Sequence, residues 1–358
     1  MAGTGNVHLR AGDGALLRVE DLVVEFPIGH SGDSVHAVSG ISLDLLEGET
    51  LGIVGESGCG KSTTGRAVMQ LPAPKSGSVR FDGVELTSLH GEALRRIRPR
   101  LQMIFQDPIS SLNPRRRVRE IVREGLDIWE MGDKTARNAK VDEVLDAVGM
   151  DPANGSRRPH EFSGGQCQRI SIARAVVTEP KLIICDEPVS ALDVSVQAQI
   201  LNLLEDMKGR YGLTVVFIAH DLAVVKNVSD RVLVMYLGKA CEVASPEDLY
   251  AHPKHPYTGA LLAAIPVPDP SQHPDEERVL GGEVPSPIHP PAGCRFRTRC
   301  PKSQERCALE EPVLREVEPN QYVACHFPLE PGEQIDFARV GIGATVDVST
   351  DGDGSQPS

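Results

Sequence analysis

Residues 50–63 read Thr50-Leu51-Gly52-Ile53-Val54-Gly55-Glu56-Ser57-Gly58-Cys59-Gly60-Lys61-Ser62-Thr63, a short apolar run that leads into G-x-x-x-x-G-K-S. This order predicts a buried strand, a phosphate-binding loop and a helix that starts inside the loop. The glycines let backbone N–H groups turn toward phosphate oxygens, and the helix dipole favours the same anion. Lys61 offers a positive charge to the terminal phosphates and Ser62 offers a hydroxyl to Mg²⁺. The stretch therefore predicts a nucleotide-binding site.

The composition limits the classes of protein that fit. The chain has 358 residues, 37 of them basic and 50 acidic, and its net charge of −13 argues against a nucleic-acid partner bound on a broad basic face. No apolar run approaches the roughly 18 residues needed to span a bilayer, and residues 1–14 do not resemble a signal peptide. We therefore expect a cytoplasmic protein whose membrane role, if any, comes through partner chains. In that compartment, the eight cysteines favour thiols or metal ligands over disulfides.

Short apolar strands alternate with helical segments through most of the chain. Strands are predicted at 17–26, 41–45, 50–54, 78–86 (two strands around a turn), 101–105, 182–185 and 214–219. Helical periodicity covers 115–177, with Val141, Val144, Leu145 and Val148 on one face, and returns at 196–208. The alternation predicts an α/β fold with a mainly parallel sheet and ligand loops at the strand carboxyl ends.

Two carboxylates follow the apolar run Leu182-Ile183-Ile184-Cys185, namely Asp186 and Glu187. Neighbouring side chains on a strand point to opposite sides, so one acid can serve Mg²⁺ while the other orients and deprotonates a water. Two acids after a strand are, by themselves, more typical of a solvated loop. Their combination with a phosphate-binding loop favours the catalytic interpretation.

A second candidate anion site is the run Ser163-Gly164-Gly165-Gln166-Cys167-Gln168-Arg169. Serine is a good N-cap, and the glycines expose backbone N–H groups at the start of the helical pattern that follows. Alone, such a run is more often a flexible linker or a simple cap. One phosphate cradle is already present in the chain, so a second one requires an explanation.

Taken in order, these motifs resemble those of the ATP-binding cassette (ABC) ATPases. The run that starts at Ser163 resembles the family's signature, Leu-Ser-Gly-Gly-Gln. It differs mildly, because Phe162 stands where the family usually has leucine. The other matching elements are the glutamine loop at Gln106, the D-loop Ser190-Ala191-Leu192-Asp193, the switch histidine His220 and the aromatic Phe26, which would stack on adenine. Outside this set, His220 would be interpreted as a structural histidine and Phe26 as a core residue.

The resemblance covers residues 16–252 and implies a specific architecture. It implies a phosphate-loop NTPase core with a mainly parallel sheet, an N-terminal antiparallel β subdomain and an inserted α-helical subdomain at about 107–178. It also implies a head-to-tail dimer with ATP held between the phosphate-binding loop of one subunit and the signature of the other. The second anion site is then explained, because each chain supplies half of two composite sites.

The resemblance also assigns roles to residues. It implies ATP hydrolysis with Glu187, His220 and Gln106 as catalytic residues and with Mg²⁺ bound by Ser62, Gln106 and Asp186. The residues that it implies for ATP binding are Phe26, Gly55, Ser57, Gly58, Cys59, Gly60, Lys61, Ser62, Thr63, Ser163, Gly164, Gly165, Gln166 and Asp193.

Half of the cysteines lie close together in a proline-rich region at 253–340, at Cys294, Cys300, Cys307 and Cys325. The close clustering disfavours unpaired core thiols, and the expected compartment disfavours disulfides. The spacing lacks the C-x₂₋₄-C of structural zinc sites and matches neither common ferredoxin pattern. From the residues alone, zinc, an iron–sulfur cluster and an empty site stay open. The small, polar and acidic tail 341–358 is predicted to be disordered.

The segments around these cysteines resemble the C-terminal extension of oligopeptide/dipeptide importer ATPases. They are His255-Pro256-Tyr257-Thr258, Gly293-Cys294-Arg295-Phe296-Arg297-Thr298-Arg299-Cys300-Pro301 and Val323-Ala324-Cys325-His326. The resemblance implies an irregular extension whose four cysteines hold a [4Fe–4S] cluster.

The same resemblance implies a place in a transporter. The chain would lie at the cytoplasmic face of the inner membrane with a second ABC ATPase subunit, two transmembrane permease subunits and an extracellular substrate-binding protein. Dipeptides, longer peptides, glutathione-like compounds and nickel remain alternatives for the cargo. A soluble ABC ATPase that acts on nucleic acid or ribosomes is the alternative function, and a metal-dependent regulatory role is an alternative for the extension.

Overall fold

A computed structural model describes residues 5–12, 14–29, 32–265, 280–333 and 335. The predicted tail at 341–358 and part of the proline-rich segment, 266–279, lie outside the described residues. The strands are β1 Leu17–Pro27, β2 Ser34–Leu45, β3 Thr50–Val54, β4 Ser76–Phe81, β5 Val84–Glu85, β6 Leu101–Ile104, β7 Leu182–Asp186, β8 Thr214–Ala219, β9 Arg231–Tyr236, β10 Lys239–Ala244, β11 Arg315–Glu318 and β12 Gln321–Val323. The helices are α1 Lys61–Val68, α2 Gly91–Arg95, α3 Val118–Ile128, α4 Lys134–Ala147, α5 Gly164–Val176, α6 Val194–Tyr211, α7 Leu222–Val228, α8 Pro246–Ala251, α9 Pro256–Ala263 and α10 Glu305–Leu309.

The strands form two sheets. The larger one has eight strands in the order β11-β12-β10-β9-β3-β8-β7-β6, and the smaller has four in the order β2-β1-β4-β5. Strand β3 runs parallel to β8 and β9, and β7 runs parallel to β8 and β6. The smaller sheet is antiparallel. The predicted α/β fold with a mainly parallel sheet and an N-terminal antiparallel sheet is confirmed.

Strand β3 is buried on both faces, which explains its continuous apolar sequence. Ile53 packs with residues of the antiparallel sheet, whereas its neighbour Val54 packs with residues of the helical region. The central strand therefore lies between two hydrophobic cores. Because it is packed on both sides, β3 provides a rigid base for the loop that follows it.

The predicted helical region is confirmed, but it is broken into α3, α4 and α5. Helix α4 ends at Ala147, and Gly149, two residues later, has φ +72° and donates its amide N–H to the Asp146 carbonyl. The next N–H, of Met150, donates to the Leu145 carbonyl at 2.9 Å, so the last carbonyls of the helix are satisfied. The predicted apolar face of α4 is buried, at Val141, Val144, Leu145 and Val148.

The extension is attached to the main sheet, although its sequence predicted only an irregular segment. Strand β12 pairs with β10, and the buried carboxylate of Glu242 on β10 accepts hydrogen bonds from the backbone N–H groups of Lys254 and His255 at 2.9 and 2.8 Å. Gln321 on β12 donates to the same carboxylate at 3.0 Å. The strands of the extension have only three or four residues, which is too short for a recognisable period. Among the described helices, none is sufficiently long and apolar to cross a bilayer.

Candidate active site

The loop between β3 and α1 closes against neighbouring backbone. Gly60 has φ +103°, and a Cβ there would lie 2.2 Å from the carbonyl oxygen of Ala37. A Cβ on Gly55 would lie 2.1 Å from the carbonyl oxygen of Met235. Only glycine fits such positions, so the glycines of the motif are needed for packing as well as for exposing N–H groups.

Lys61, the first residue of α1, is held in place at the end of the loop. Its side chain is buried, and Nζ donates to the carbonyl oxygens of Gly55 at 2.8 Å and Glu56 at 3.0 Å. The ammonium group also lies 3.9 Å from Oε1 of Glu187. The structure thus brings the positive charge predicted for phosphate binding next to the predicted catalytic carboxylate.

Ser62 and Asp186 meet although they are 124 positions apart in the sequence. The Ser62 hydroxyl donates to Oδ1 of Asp186 at 2.5 Å, and the Asp186 side chain is completely buried. Arg66 Nη2 lies 3.3 Å from the other oxygen of Asp186. A hydroxyl and a carboxylate are oxygen ligands of the kind that Mg²⁺ prefers, usually completed by water and nucleotide phosphate. These two residues could therefore hold the ion.

Glu187 lies just after β7 in a conformation that is rare for its residue type. Its φ is +47°, a left-handed conformation that costs on the order of 1 kcal/mol for a residue with a Cβ. The carboxylate accepts a hydrogen bond from Gln106 Nε2 at 2.8 Å and lies 3.6 Å from Nδ1 of His220. The three residues predicted to be catalytic are thus brought together at the carboxyl ends of β6, β7 and β8. The Gln106 side chain donates to Glu187 through its nitrogen. The predicted role of Gln106 as an Mg²⁺ ligand would use its side-chain oxygen and stays a prediction.

A cleft open to solvent lies above these residues. Phe26 lines it and is 39% exposed, as an aromatic ring available for stacking would be. The other lining residues are Val35, Ala37, Ser57, Gly58, Gly60, Lys61, Ser62, Thr63, Gln106, Glu187 and Pro287. No sequence signal points to Val35, Ala37 or Pro287, because none of them belongs to a motif.

Cys59 differs from the other residues predicted to bind ATP, because its side chain faces the core. It is 4% exposed, and its N–H donates to the Glu56 carbonyl at 3.3 Å. Burial raises the pKa of its thiol to about 11. Cys59 thus forms part of the turn that shapes the loop, and a contact between its side chain and nucleotide has no support in the geometry.

The signature segment forms the start of helix α5. Ser163 Oγ accepts from the Gln166 N–H at 3.4 Å, and the Gln166 side chain accepts from the Ser163 N–H at 3.0 Å, which is a capping box. A Cβ on Gly165 would lie 2.7 Å from Cγ1 of Val196, so α5 and α6 pack closely here. Asp193 is the N-cap of α6.

The structure does not bring the signature to the loop of the same chain. Within the described ranges, the residues that line the cleft include none of Ser163, Gly164, Gly165, Gln166 and Asp193. Within one chain, the signature therefore does not take part in the cleft that Lys61 and Glu187 line.

The four cysteines of the extension, Cys294, Cys300, Cys307 and Cys325, line one small cavity. All four are free thiols. Burial raises the pKa values of Cys294 and Cys300 to about 12 and that of Cys325 to about 11. In the part of the chain that the structure describes, no group of three or more His, Cys, Asp or Glu residues is arranged so that it could hold a metal ion. The geometry therefore supports neither a zinc ion nor an iron–sulfur cluster at these cysteines.

Comparisons with known proteins match the core and the extension to two family models. Residues 38–190 match the family described as ABC transporter, and residues 241–307 match the family described as oligopeptide/dipeptide transporter, C-terminal region. The chain is 52% identical over 313 residues to the putative oligopeptide transport ATP-binding protein YkfD of Bacillus subtilis, covering 87% of this chain and 95% of the relative. It is 51% identical over 309 residues to the oligopeptide transport ATP-binding protein OppF of Salmonella typhimurium, covering 84% and 92%.

Solved structures agree with this assignment. A dimeric post-hydrolysis state of the ATP-binding cassette MJ0796, bound to ADP and Pi, matches with a TM-score of 0.59 and 27% identity, covering 64% of this chain and 98% of that one. The cbiO1 protein of Clostridium perfringens, part of the ABC transporter complex cbiONQ, matches with a TM-score of 0.60 and 29% identity, covering 67% and 92%. The chain belongs to the ABC transporter family, as an ATP-binding protein that carries the oligopeptide/dipeptide C-terminal region.

Proposed function

We propose that this chain is the ATP-hydrolysing subunit of a membrane importer for peptides and works at the cytoplasmic face of the inner membrane. The observation that carries the ATPase activity is the position of the Glu187 carboxylate, which has Lys61, Gln106 and His220 around it at the mouth of the loop. The peptide cargo is supported by the match of the extension and by the descriptions of the relatives.

The geometry suggests how the chain would hydrolyse ATP. The loop N–H groups and Lys61 bind the phosphates, while Phe26 stacks on the base. Ser62 and Asp186 would hold Mg²⁺, which offsets negative charge on the phosphates when it is bound. Glu187 accepts a proton from the attacking water as the water oxygen forms a bond to the γ-phosphorus and the bond to the bridging oxygen breaks. His220, 3.6 Å from the same carboxylate, is placed to contact the γ-phosphate.

The site would be completed by a second ATPase subunit. The signature of this chain does not line its own cleft, and the MJ0796 structure that the chain resembles is described as dimeric. We infer a head-to-tail pair in which Ser163 and Gly165 act on ATP bound to the partner. Permease subunits and an extracellular substrate-binding protein would complete the importer.

The transport function is tested on the complex purified through this chain. We expect permease subunits to copurify, and we expect ATP hydrolysis in liposomes to rise several-fold with a substrate-binding protein loaded with peptide. Unloaded binding protein is the control. If glutathione or Ni²⁺ stimulates ATP hydrolysis and peptide does not, that compound would replace peptide as the proposed cargo. Stimulation by nucleic acid or ribosomes, without copurifying permeases, would contradict the importer.

We further propose that the four cysteines of the extension hold a [4Fe–4S] cluster. Four thiolates are the usual ligand set of such a cluster, and all four cysteines line one cavity. A cluster is larger than one ion, so its ligands need not converge on a single point. Because burial disfavours free thiolates here, binding would release protons and would stabilise the fold of the extension.

Iron and acid-labile sulfide assays on anaerobically purified protein test this proposal. We expect about four of each per chain in the wild type. The Cys300→Ala variant should lose most of both, whereas Cys167→Ala, a buried cysteine in α5, should keep them. One zinc per chain, or no metal in protein that was never exposed to air, would contradict the cluster.

A further inference from the structure

The C-terminal extension is bound to the phosphate-binding loop at Glu56. Arg299 donates two hydrogen bonds to the Glu56 carboxylate, from Nη1 to Oε2 at 2.6 Å and from Nη2 to Oε1 at 3.0 Å. The hydroxyl of Tyr257, also from the extension, accepts a hydrogen bond from the Glu56 backbone N–H at 2.8 Å. The sequence gives no indication of this contact, since Glu56 and Arg299 are 243 positions apart.

Arg299 has little freedom to move away from Glu56. It is 3% exposed, its Nε donates to the carbonyl of Gly281 at 3.3 Å, and its guanidinium lies over the ring of Tyr236 at 5.9 Å. Burial by itself lowers the pKa of the Arg299 guanidinium, but the hydrogen bonds to Glu56 outweigh this effect, and the pKa is raised. A paired, sheltered guanidinium of this kind fixes both the position and the orientation of the carboxylate that it binds.

An aromatic cluster supports both contacts. The ring centroids of Tyr236 and Tyr257 are 4.8 Å apart, and Phe296 lies 5.2 and 5.3 Å from them. All three side chains are fully buried. Tyr236 ends β9, whereas Tyr257 and Phe296 come from the extension, so the cluster attaches the extension rigidly to the sheet beside the loop.

Glu56 in turn shapes the part of the loop that faces phosphate. Its carbonyl oxygen accepts from Lys61 Nζ at 3.0 Å and from the Cys59 N–H at 3.3 Å. A shift of Glu56 would therefore move the turn at Cys59 and the ammonium group of Lys61 together. The backbone N–H of Glu56 is directed to Tyr257, so this residue positions the loop instead of donating to phosphate.

We propose that Arg299 is a positioning residue for nucleotide binding, through which the extension sets the shape of the phosphate-binding loop and its affinity for nucleotide phosphates. The proposal rests on the proposed function only in assuming that the loop binds nucleotide. The extension is thereby a functional part of the ATP site as well as an attached module.

The test measures Mg–ADP binding and thermal unfolding of full-length variants with matched iron content. Arg299→Met should raise the Kd for Mg–ADP about 10-fold or more, because both charge-assisted hydrogen bonds are lost. Arg299→Lys keeps the charge but lacks the planar guanidinium, so its Kd should fall between those of the wild type and Arg299→Met. In the assembled complex, the KM for ATP should rise with the Kd while kcat stays within threefold. Mg–ADP binding requires neither hydrolysis nor cargo, so failure here is distinguishable from failure of the importer proposal.

A double-mutant cycle separates positioning from general stabilisation. The double variant Glu56→Gln/Arg299→Met should have a Kd no higher than that of the more affected single variant. Each substitution removes the same contact, between Glu56 and Arg299, so their effects should not add. The matched control is Lys239→Met, because Lys239 pairs with Glu311 at 2.5 Å and joins the extension to β10 instead of to the loop. It should lower the unfolding temperature and leave the Kd unchanged. A wild-type Kd in Arg299→Met, or an equal rise of Kd in Lys239→Met, would overturn the proposal.

Discussion

We expect Glu187→Gln to bind Mg–ATP with an affinity within threefold of the wild type but to hydrolyse it about 10²–10⁴-fold more slowly, which is the usual loss when a positioned general base is removed. The amide has nearly the size of the carboxylate, so the cleft keeps its shape. It has no oxygen that can take the proton of the attacking water. Its side-chain oxygen can still accept the hydrogen bond from Gln106, and the side chain stays beside His220, so the effect falls on the chemical step.

The measurement combines nucleotide binding, single-turnover hydrolysis and the assembly state. Because hydrolysis ends the closed state, the variant should accumulate an ATP-bound dimer, visible as a larger species by size-exclusion chromatography with ATP and absent with ADP. Glu205→Gln, the same change at an exposed position of α6, should behave as the wild type. Turnover of Glu187→Gln near the wild-type rate would remove Glu187 from the role of general base.

The core of the nucleotide site could be predicted because its signals are local. The loop glycines and Lys61 follow an apolar strand, and Asp186 and Glu187 lie at the end of another. Parallel strands that are buried on both faces are visible as continuous apolar runs. The topology then brings the strand ends together, which places Asp186 beside Ser62. The long-range geometry thus follows from short-range patterns.

Other parts of the fold gave no local signal. The β9–β10 hairpin turns at Leu237 and Gly238, with φ of +43° and +78°, but it lacks the Asn-Gly or Asp-Gly pair that usually marks such a turn. The contact between Arg299 and Glu56 depends on the attachment of the extension, and a charged side chain does not indicate its distant partner. The residues of this contact could therefore be found only from the structure.

The signature is an intermediate case, since its local structure is predictable, whereas its proposed function depends on a second subunit. The spacing of Ser163 and Gln166 is that of a capping box, which the structure contains. The position of these residues relative to nucleotide is a property of the dimer. A substitution that keeps the cap and changes only the charge can separate the two roles.

Ser163→Asp is expected to leave the Mg–ATP affinity of the isolated chain within twofold of the wild type and to lower hydrolysis by the assembled complex about 10²-fold or more. Aspartate caps a helix as well as serine does, so α5 should be retained. Its carboxylate would face the γ-phosphate bound to the partner, and like charges placed together cost several kcal/mol, with each 1.4 kcal/mol equal to about a factor of ten. Ser163→Asn, a neutral cap of similar size, is the matched control and should retain far more activity.

The same substitution tests whether the signature acts on the partner. Combined with Glu187→Gln, Ser163→Asp should prevent the ATP-dependent dimer, because the added charge opposes closure around ATP while each loop still binds nucleotide. A large rise in the Kd of the isolated Ser163→Asp chain would mean that the signature reaches its own cleft. Undiminished turnover would mean that it reaches neither cleft. Since Ser163 does not line the cleft of its own chain, we expect a loss that requires the assembled pair.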